Sequence, residues 1–188
     1  MKEKLSIDIQ PLSPSLLTEY LRFFDGEAFS DNPGWASCYC LYYHAQHHLK
    51  PWEERTAAEN RAEVSRRILE GRMHGYLALV EGKPVGWCNA CPRSRVSTVA
   101  REAGEGSVGA VVCFVIAKAY RGRGISRLLL RAACDGFRER GFEVVEGYPR
   151  RDASGDAANH GGPLSLYLSE GFEVAGATDG AMVVRKRL

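Results

Sequence analysis

Val108-Gly109-Ala110-Val111-Val112-Cys113-Phe114-Val115-Ile116-Ala117-Lys118-Ala119-Tyr120-Arg121-Gly122-Arg123-Gly124-Ile125-Ser126 is the stretch that decides the fold. Its first nine residues are apolar at nearly every position, the pattern of a strand covered on both faces. A short glycine-rich turn follows. From Gly124 to Arg140 the apolar residues Ile125, Leu128, Leu129, Ala132, Ala133 and Phe137 recur at helical spacing. Gly141 stops that helix, and Phe142 to Tyr148 reads as another strand. A strand, a helix and a strand in this order predict a parallel pair joined by a right-handed crossover.

The pattern continues on both sides. Upstream, Gly75–Val80 and Val85–Ala90 alternate around the turn Glu81–Pro84, the mark of a hairpin. Thr56–Glu70 reads as a helix, with Thr56 and Glu59 placed as a capping box and Gly71 closing it. Leu5–Gln10 reads as a strand and Leu16–Phe24 as a short helix. Trp35–His48, rich in aromatics and histidines, is expected to be helical up to Pro51. Pro92–Ser107 and Arg150–Gly162 read as loops, Leu164–Glu170 as a short helix, and Phe172–Ala175 and Ala181–Lys186 as the last strands.

Composition narrows the function. The chain has 188 residues, 45% hydrophobic and 26% charged, which excludes a mainly disordered or fibrous protein. At this length roughly 70% of the unfolded surface is buried, so no disulfide or metal is needed for stability. A net charge of +2 is too small for a dedicated duplex-DNA binder. No apolar run reaches spanning length and the N-terminus lacks a signal-peptide core, so a cytoplasmic protein with no membrane partner is expected. The six cysteines read as reduced thiols. Cys38 with Cys40 and Cys88 with Cys91 invite a zinc site, but their spacing and the strand pattern favour buried thiols, and no metal is expected.

The turn after the apolar strand carries the chemistry. Gly122 and Gly124 let the backbone approach a ligand closely, and the first N–H groups of the following helix point outward without partners. Arg121, Arg123 and Arg127 add positive charge, so the segment reads as a pyrophosphate site. It is neither a Rossmann fingerprint, because Arg127 stands where the third glycine belongs, nor a Walker loop.

Arg121-x-x-Gly124-x-Ser126, followed downstream by Leu166-Tyr167-x-x-x-Gly171-Phe172, resembles the two signatures of the GNAT superfamily of N-acetyltransferases. Ser126 replaces the usual Gly or Ala. The resemblance covers about residues 75–187. It implies an α/β (α+β) fold: one domain over 1–188 whose central mixed, mostly antiparallel sheet holds one splayed parallel strand pair and is flanked by helices. Residues 1–74 would supply the N-terminal strand and acceptor-side helices, and 75–188 the cofactor-binding core.

The implied activity is direct transfer of an acetyl group from acetyl-CoA to a primary amine of a small molecule or peptide. A non-catalytic acyl-CoA sensor is the alternative, and a homodimer is left open. Phe114, Val115 and Ile116 would bind the pantetheine arm and the acetyl carbonyl. Arg121, Gly122, Arg123, Gly124, Ile125 and Ser126 would hold the pyrophosphate, with Asn159 a further cofactor contact. Tyr167 would protonate the leaving thiolate. Glu146, on the strand bordering the gap, is the first candidate for the acceptor's base, ahead of His160, Asp31 and Glu105. Trp35 and Tyr39 belong to an aromatic stretch that could hold the amine by cation–π contact.

Overall fold

The computed structural model describes residues 6–98, 107–151, 155, 158–178 and 180–188. Strands β1 (Asp8–Pro11), β2 (Gly75–Val80), β3 (Lys83–Pro92), β4 (Val108–Ile116), β5 (Val144–Gly147), β6 (Glu173–Thr178) and β7 (Ala181–Arg187) form a sheet in the order β1-β2-β3-β4-β5-β7-β6. Every neighbouring pair is antiparallel except β4 and β5, which run parallel from Val108 opposite Val144 to Val111 opposite Gly147. The expected crossover unit is present, with α3 (Ile125–Glu139) between the parallel strands.

The sheet is covered on both faces. Under α3, Leu129, Ala133 and Phe137 pack against Cys88, Val111 and Val145. On the other face, Tyr20 and Phe24 of α1 (Leu17–Asp25) and Val64 and Ile68 of α2 (Ala57–Leu69) pack against Leu77, Trp87 and Val112. The α2 cap is the one the sequence predicts: Thr56 Oγ1 accepts the Glu59 N–H at 3.2 Å and Glu59 Oε2 accepts the Thr56 N–H at 2.8 Å. A fourth helix, α4 (Leu164–Ser169), precedes the β6–β7 hairpin.

Trp35–His48 is not a helix. Only the short 3-10 turns Pro33–Trp35 and Tyr42–His44 form there. Tyr39 and Cys40 take left-handed φ values of 46° and 51°, which no continuous helix accommodates. Tertiary bonds fix this bend: the Tyr20 hydroxyl donates to the Tyr39 carbonyl at 2.6 Å, and the Tyr39 hydroxyl donates to Asp25 Oδ1 at 2.7 Å. The strand expected over 142–148 is shorter, and the β2–β3 hairpin extends further than expected, to Pro92. Leu5, Glu105 and parts of the two long loops lie outside the described residues. No helix among the described residues is long and apolar enough to cross a membrane.

Candidate active site

The β4–β5 ladder ends at Val111 and Gly147, yet β4 runs on to Ile116. Beyond Gly147 the other strand follows β7 instead: the Met182 N–H donates to the Pro149 carbonyl at 2.8 Å, and Arg150 bridges Ala181. The two parallel strands therefore fork. Tyr167 fills the crotch. Its ring is fully buried 6.4 Å from Phe114, and a Cβ on Gly147 would lie 2.3 Å from it, so only glycine lets β5 pass this close. Its hydroxyl lies behind the residues that line the opening and donates to the Gly161 carbonyl at 2.7 Å, and burial raises its pKa well above that of a free phenol.

A bulge re-aims β4 at the fork. Asn89 faces Cys113 and Ala90 faces Val111, so Val112 is the extra residue. Val112 and Cys113 consequently pack on the α1 side together, and Phe114 returns to the α3 side. The Ala117 N–H donates to the Val85 carbonyl at 2.9 Å. By the alternation of an antiparallel pair, the main-chain groups of Val115 also face β3, while those of Phe114 and Ile116 face the opening. The Ile116 carbonyl accordingly accepts Arg121 Nε at 3.0 Å. This corrects the sequence expectation for Val115: its side chain lines the cleft, but its amide is turned into the sheet.

The fork opens into a cleft of about 1270 Å³. At its strand-to-helix end, Gly122 and Gly124 have φ values of 70° and 79°, and a Cβ on either would meet nothing within 4 Å. Gly124 caps α3, and its carbonyl accepts the N–H groups of Arg127 and Leu128 at 3.1 and 3.2 Å. The N–H groups of Ile125 and Ser126 precede the first intrahelical bond, so they are donors for an anion, reinforced by the helix dipole.

Arg121 lines this end, held in a two-point pair by Asp31 at 2.6 and 3.0 Å. The Arg121 hydrogen bond holds the Asp31 carboxyl below its usual range. Arg127 also lines the cleft and pairs with Glu170 at 3.0 Å. Arg123 is exposed with its guanidinium over the Tyr120 ring at 5.7 Å, outside the cleft lining. Asn159 lines the cleft, its side-chain amide 3.4 Å from the Gly155 carbonyl.

The facing wall comes from the irregular segment before α2. Trp35 lines it, 39% exposed, as do Tyr42 and Tyr43. Tyr39 is not brought to the cleft: it is 7% exposed and tied to Asp25, which Arg61 also holds. Its left-handed bend turns it into the core, and Tyr43 takes the wall position. No sequence signal marks that bend, because neither residue in it is glycine.

Glu146 is likewise not at the cleft. It is 1% exposed, and donors converge on both of its oxygens: Arg93 Nη1 at 3.2 and 3.3 Å, Arg185 Nε at 2.6 Å and the Tyr148 hydroxyl at 2.6 Å. Its lone pairs are engaged in tying β5 to β7 and to the turn that follows β3, which leaves no geometry for taking a substrate proton. Glu146→Ala is expected to lower stability by about 3–5 kcal/mol, the cost of breaking a buried ion pair. Urea unfolding measures this, and a loss below about 1 kcal/mol would contradict the structural role. The zinc candidates do not assemble either: among the described residues no three His, Cys, Asp or Glu side chains converge as a metal site requires.

The mixed sheet thus forks beside a turn and a helix N-terminus that together line one cleft. The family model of the acetyltransferase (GNAT) family matches residues 35–156, and the chain belongs to that family. Among solved structures it is similar to the PaiA N-acetyltransferase of Thermoplasma acidophilum in complex with coenzyme A. That pair is 16% identical with a TM-score of 0.59, covering 98% of this chain and 100% of that one. A GNAT-family acetyltransferase of Listeria monocytogenes 4b F2365 is 14% identical with a TM-score of 0.62, covering 100% and 98%. The GNAT domain of S. lividans PAT is 17% identical with a TM-score of 0.60, covering 96% and 89%. At these identities the likeness concerns the fold. No curated protein matches the sequence.

Proposed function

We propose that this protein is an acetyl-CoA-dependent N-acetyltransferase that passes the acetyl group directly to a primary amine of a small molecule or peptide. The fork carries this reading: it turns main-chain groups of β4 outward beside a helix N-terminus, in one cleft. The pyrophosphate of acetyl-CoA would lie on the N–H groups of Ile125 and Ser126 and the turn through Gly122 and Gly124, with Arg121 and Arg127 at its flank. The pantetheine arm would add to the edge of β4 that the fork exposes, where the groups of Phe114 face outward.

The thioester carbonyl would then sit at the fork. The amine attacks it, a C–N bond forms, and charge grows on the carbonyl oxygen, where a main-chain N–H of β4 is a pre-placed donor. As the C–S bond breaks, the thiolate needs a proton. Tyr167 is the acid assigned to that step: burial keeps its proton on, and its hydroxyl would exchange the Gly161 carbonyl for sulfur. A buried donor with a fixed ring loses little entropy in doing so.

Trp35 is the proposed contact of the amine, through its exposed ring face. Trp35→Ala should raise the acceptor KM by about tenfold, the scale of a partly desolvated cation–π contact. Acetyl-CoA affinity should stay unchanged. Steady-state kinetics at saturating acetyl-CoA measure this, and an unaltered acceptor KM removes Trp35 from the site. The reaction is assigned to the cytoplasm, in keeping with six thiols of which none is paired.

A further inference from the structure

With Glu146 committed to its arginines, the reaction proposed above lacks a group to take the proton that the attacking ammonium sheds. We infer that His160 is that catalytic base and that Tyr43 is the positioning residue that orients it; the inference rests on the N-acetyltransfer reading. His160 lines the cleft, half-buried, with its Nε2 2.8 Å from the Tyr43 hydroxyl. Trp35 also stands against the ring, 5.4 Å between centroids and nearly perpendicular at 70°. The imidazole is therefore gripped by two aromatic residues of the facing wall, one of them the proposed amine contact.

Its main chain is tied to the fork. Gly161, the next residue, accepts the Tyr167 hydroxyl, and a Cβ on Gly162 would lie 3.1 Å from both the Phe114 and Tyr167 rings. Two Cα steps span at most about 7.6 Å, so His160 stands within that reach of the residue that abuts the thioester strand. Tyr43 is anchored in turn, its carbonyl accepting the Ser97 N–H at 2.8 Å and the Ser97 hydroxyl at 3.0 Å.

The proton balance closes. The ammonium gives one proton to the neutral imidazole and the free amine attacks. In the resulting imidazolium both ring nitrogens carry hydrogen, and Nε2–H donates to the Tyr43 oxygen. Burial pushes the Tyr43 phenol far up, so it stays a neutral hydroxyl in both states and does not compete for the proton. An imidazole titrates between roughly pH 5 and 8, which suits a base that must be neutral at the start and charged after.

Other titratable groups share the neighbourhood. Burial raises the phenols of Tyr148 and Tyr167 and the thiol of Cys38, and Cys113 is raised by its hydrogen bond to Cys40 and by burial. Cys40 moves the other way: burial opposes its charge, but Asn89 Nδ2 donates to its Sγ at 3.3 Å and the thiol is held below its usual range. Arg150 and the Asp31–Arg121 pair line the same cleft with fixed charge. Cys40→Ser is therefore the control that separates thiol from imidazole.

The test is the pH profile of kcat/KM, with the amine that the wild type acetylates fastest among alkyl, arylalkyl and peptide N-terminal amines. The wild type should lose rate on the acid side as the base takes up its proton. His160→Gln should fall by about 100-fold at neutral pH and lose that limb, with acetyl-CoA affinity by calorimetry unchanged. Tyr43→Phe should keep the limb but move it, with a smaller loss of rate. Cys40→Ser should leave the limb where it is. A folded His160→Gln with the wild-type rate and limb, or a limb that vanishes in Cys40→Ser, overturns the assignment alone. A wild type that binds acetyl-CoA and acetylates none of the amines overturns the N-acetyltransfer reading and the base with it.

Discussion

Gly124→Val should weaken acetyl-CoA binding by about 100-fold or more in a chain that still folds. The loss comes from backbone geometry, not from packing. A Cβ at this position would meet nothing within 4 Å, so the folded core has no clash to relieve. The φ of 79° is the difficulty, because a β-branched residue in the left-handed region costs on the order of 1–2 kcal/mol. The turn relieves that strain by rotating, and the rotation swings the N–H groups of Ile125 and Ser126 away from the anion they would share. The side chain also projects into the space a pyrophosphate would take. Gly124→Ala, which adds strain with less bulk, should fall in between. Calorimetric titration with acetyl-CoA, alongside thermal unfolding, measures both halves. A folded Gly124→Val variant with unchanged affinity would remove this turn from the site.

Tyr167→Phe should slow the single-turnover transfer by about 100-fold, the usual scale for a general acid. The ring stays, so the wedge between β4 and β5 survives and acetyl-CoA affinity should change little. What is lost is one hydroxyl that now donates to the Gly161 carbonyl. That buried hydrogen bond also contributes about 1 kcal/mol to stability, a cost that urea unfolding will register without unfolding the protein. Single-turnover rates are the right measurement, because product release can mask a slower chemical step. Wild-type chemistry in a folded Tyr167→Phe variant would leave the residue as a structural wedge alone.

The local parts of this fold were legible. The nine-residue apolar run, the turn at Arg121–Gly124 and the amphipathic helix that follows each state their structure through short-range chemistry, and the Thr56–Glu59 cap does the same. The turn and helix N-terminus proposed to hold the cofactor were legible as local structure for that reason. Other features depend on distant partners and were not. Tyr39 and Cys40 bend the chain out of helix because Tyr20 and Asp25 hold the bend, and nothing in the local sequence records those contacts. Glu146 reads as a carboxylate at the edge of a gap, but Arg93 and Arg185 reach it from 53 and 39 residues away. Val115 reads like its neighbours until the bulge at Val112 fixes which amides face the opening. Asp31 sits 90 residues from Arg121, so a carboxylate placed at the strand-to-helix end of the cleft has no sequence signature.

The central claim is that the forked cleft moves acetyl from acetyl-CoA to an amine. Thiol release from acetyl-CoA across a panel of primary amines, with the acylated product identified by mass spectrometry, tests it most directly. The account predicts release above the acceptor-free rate for at least one amine, an N-acetylated product in equal amount, and loss of both in Gly124→Val. Tight acetyl-CoA binding with no amine-dependent release would contradict it and leave a protein that senses the thioester without turning it over.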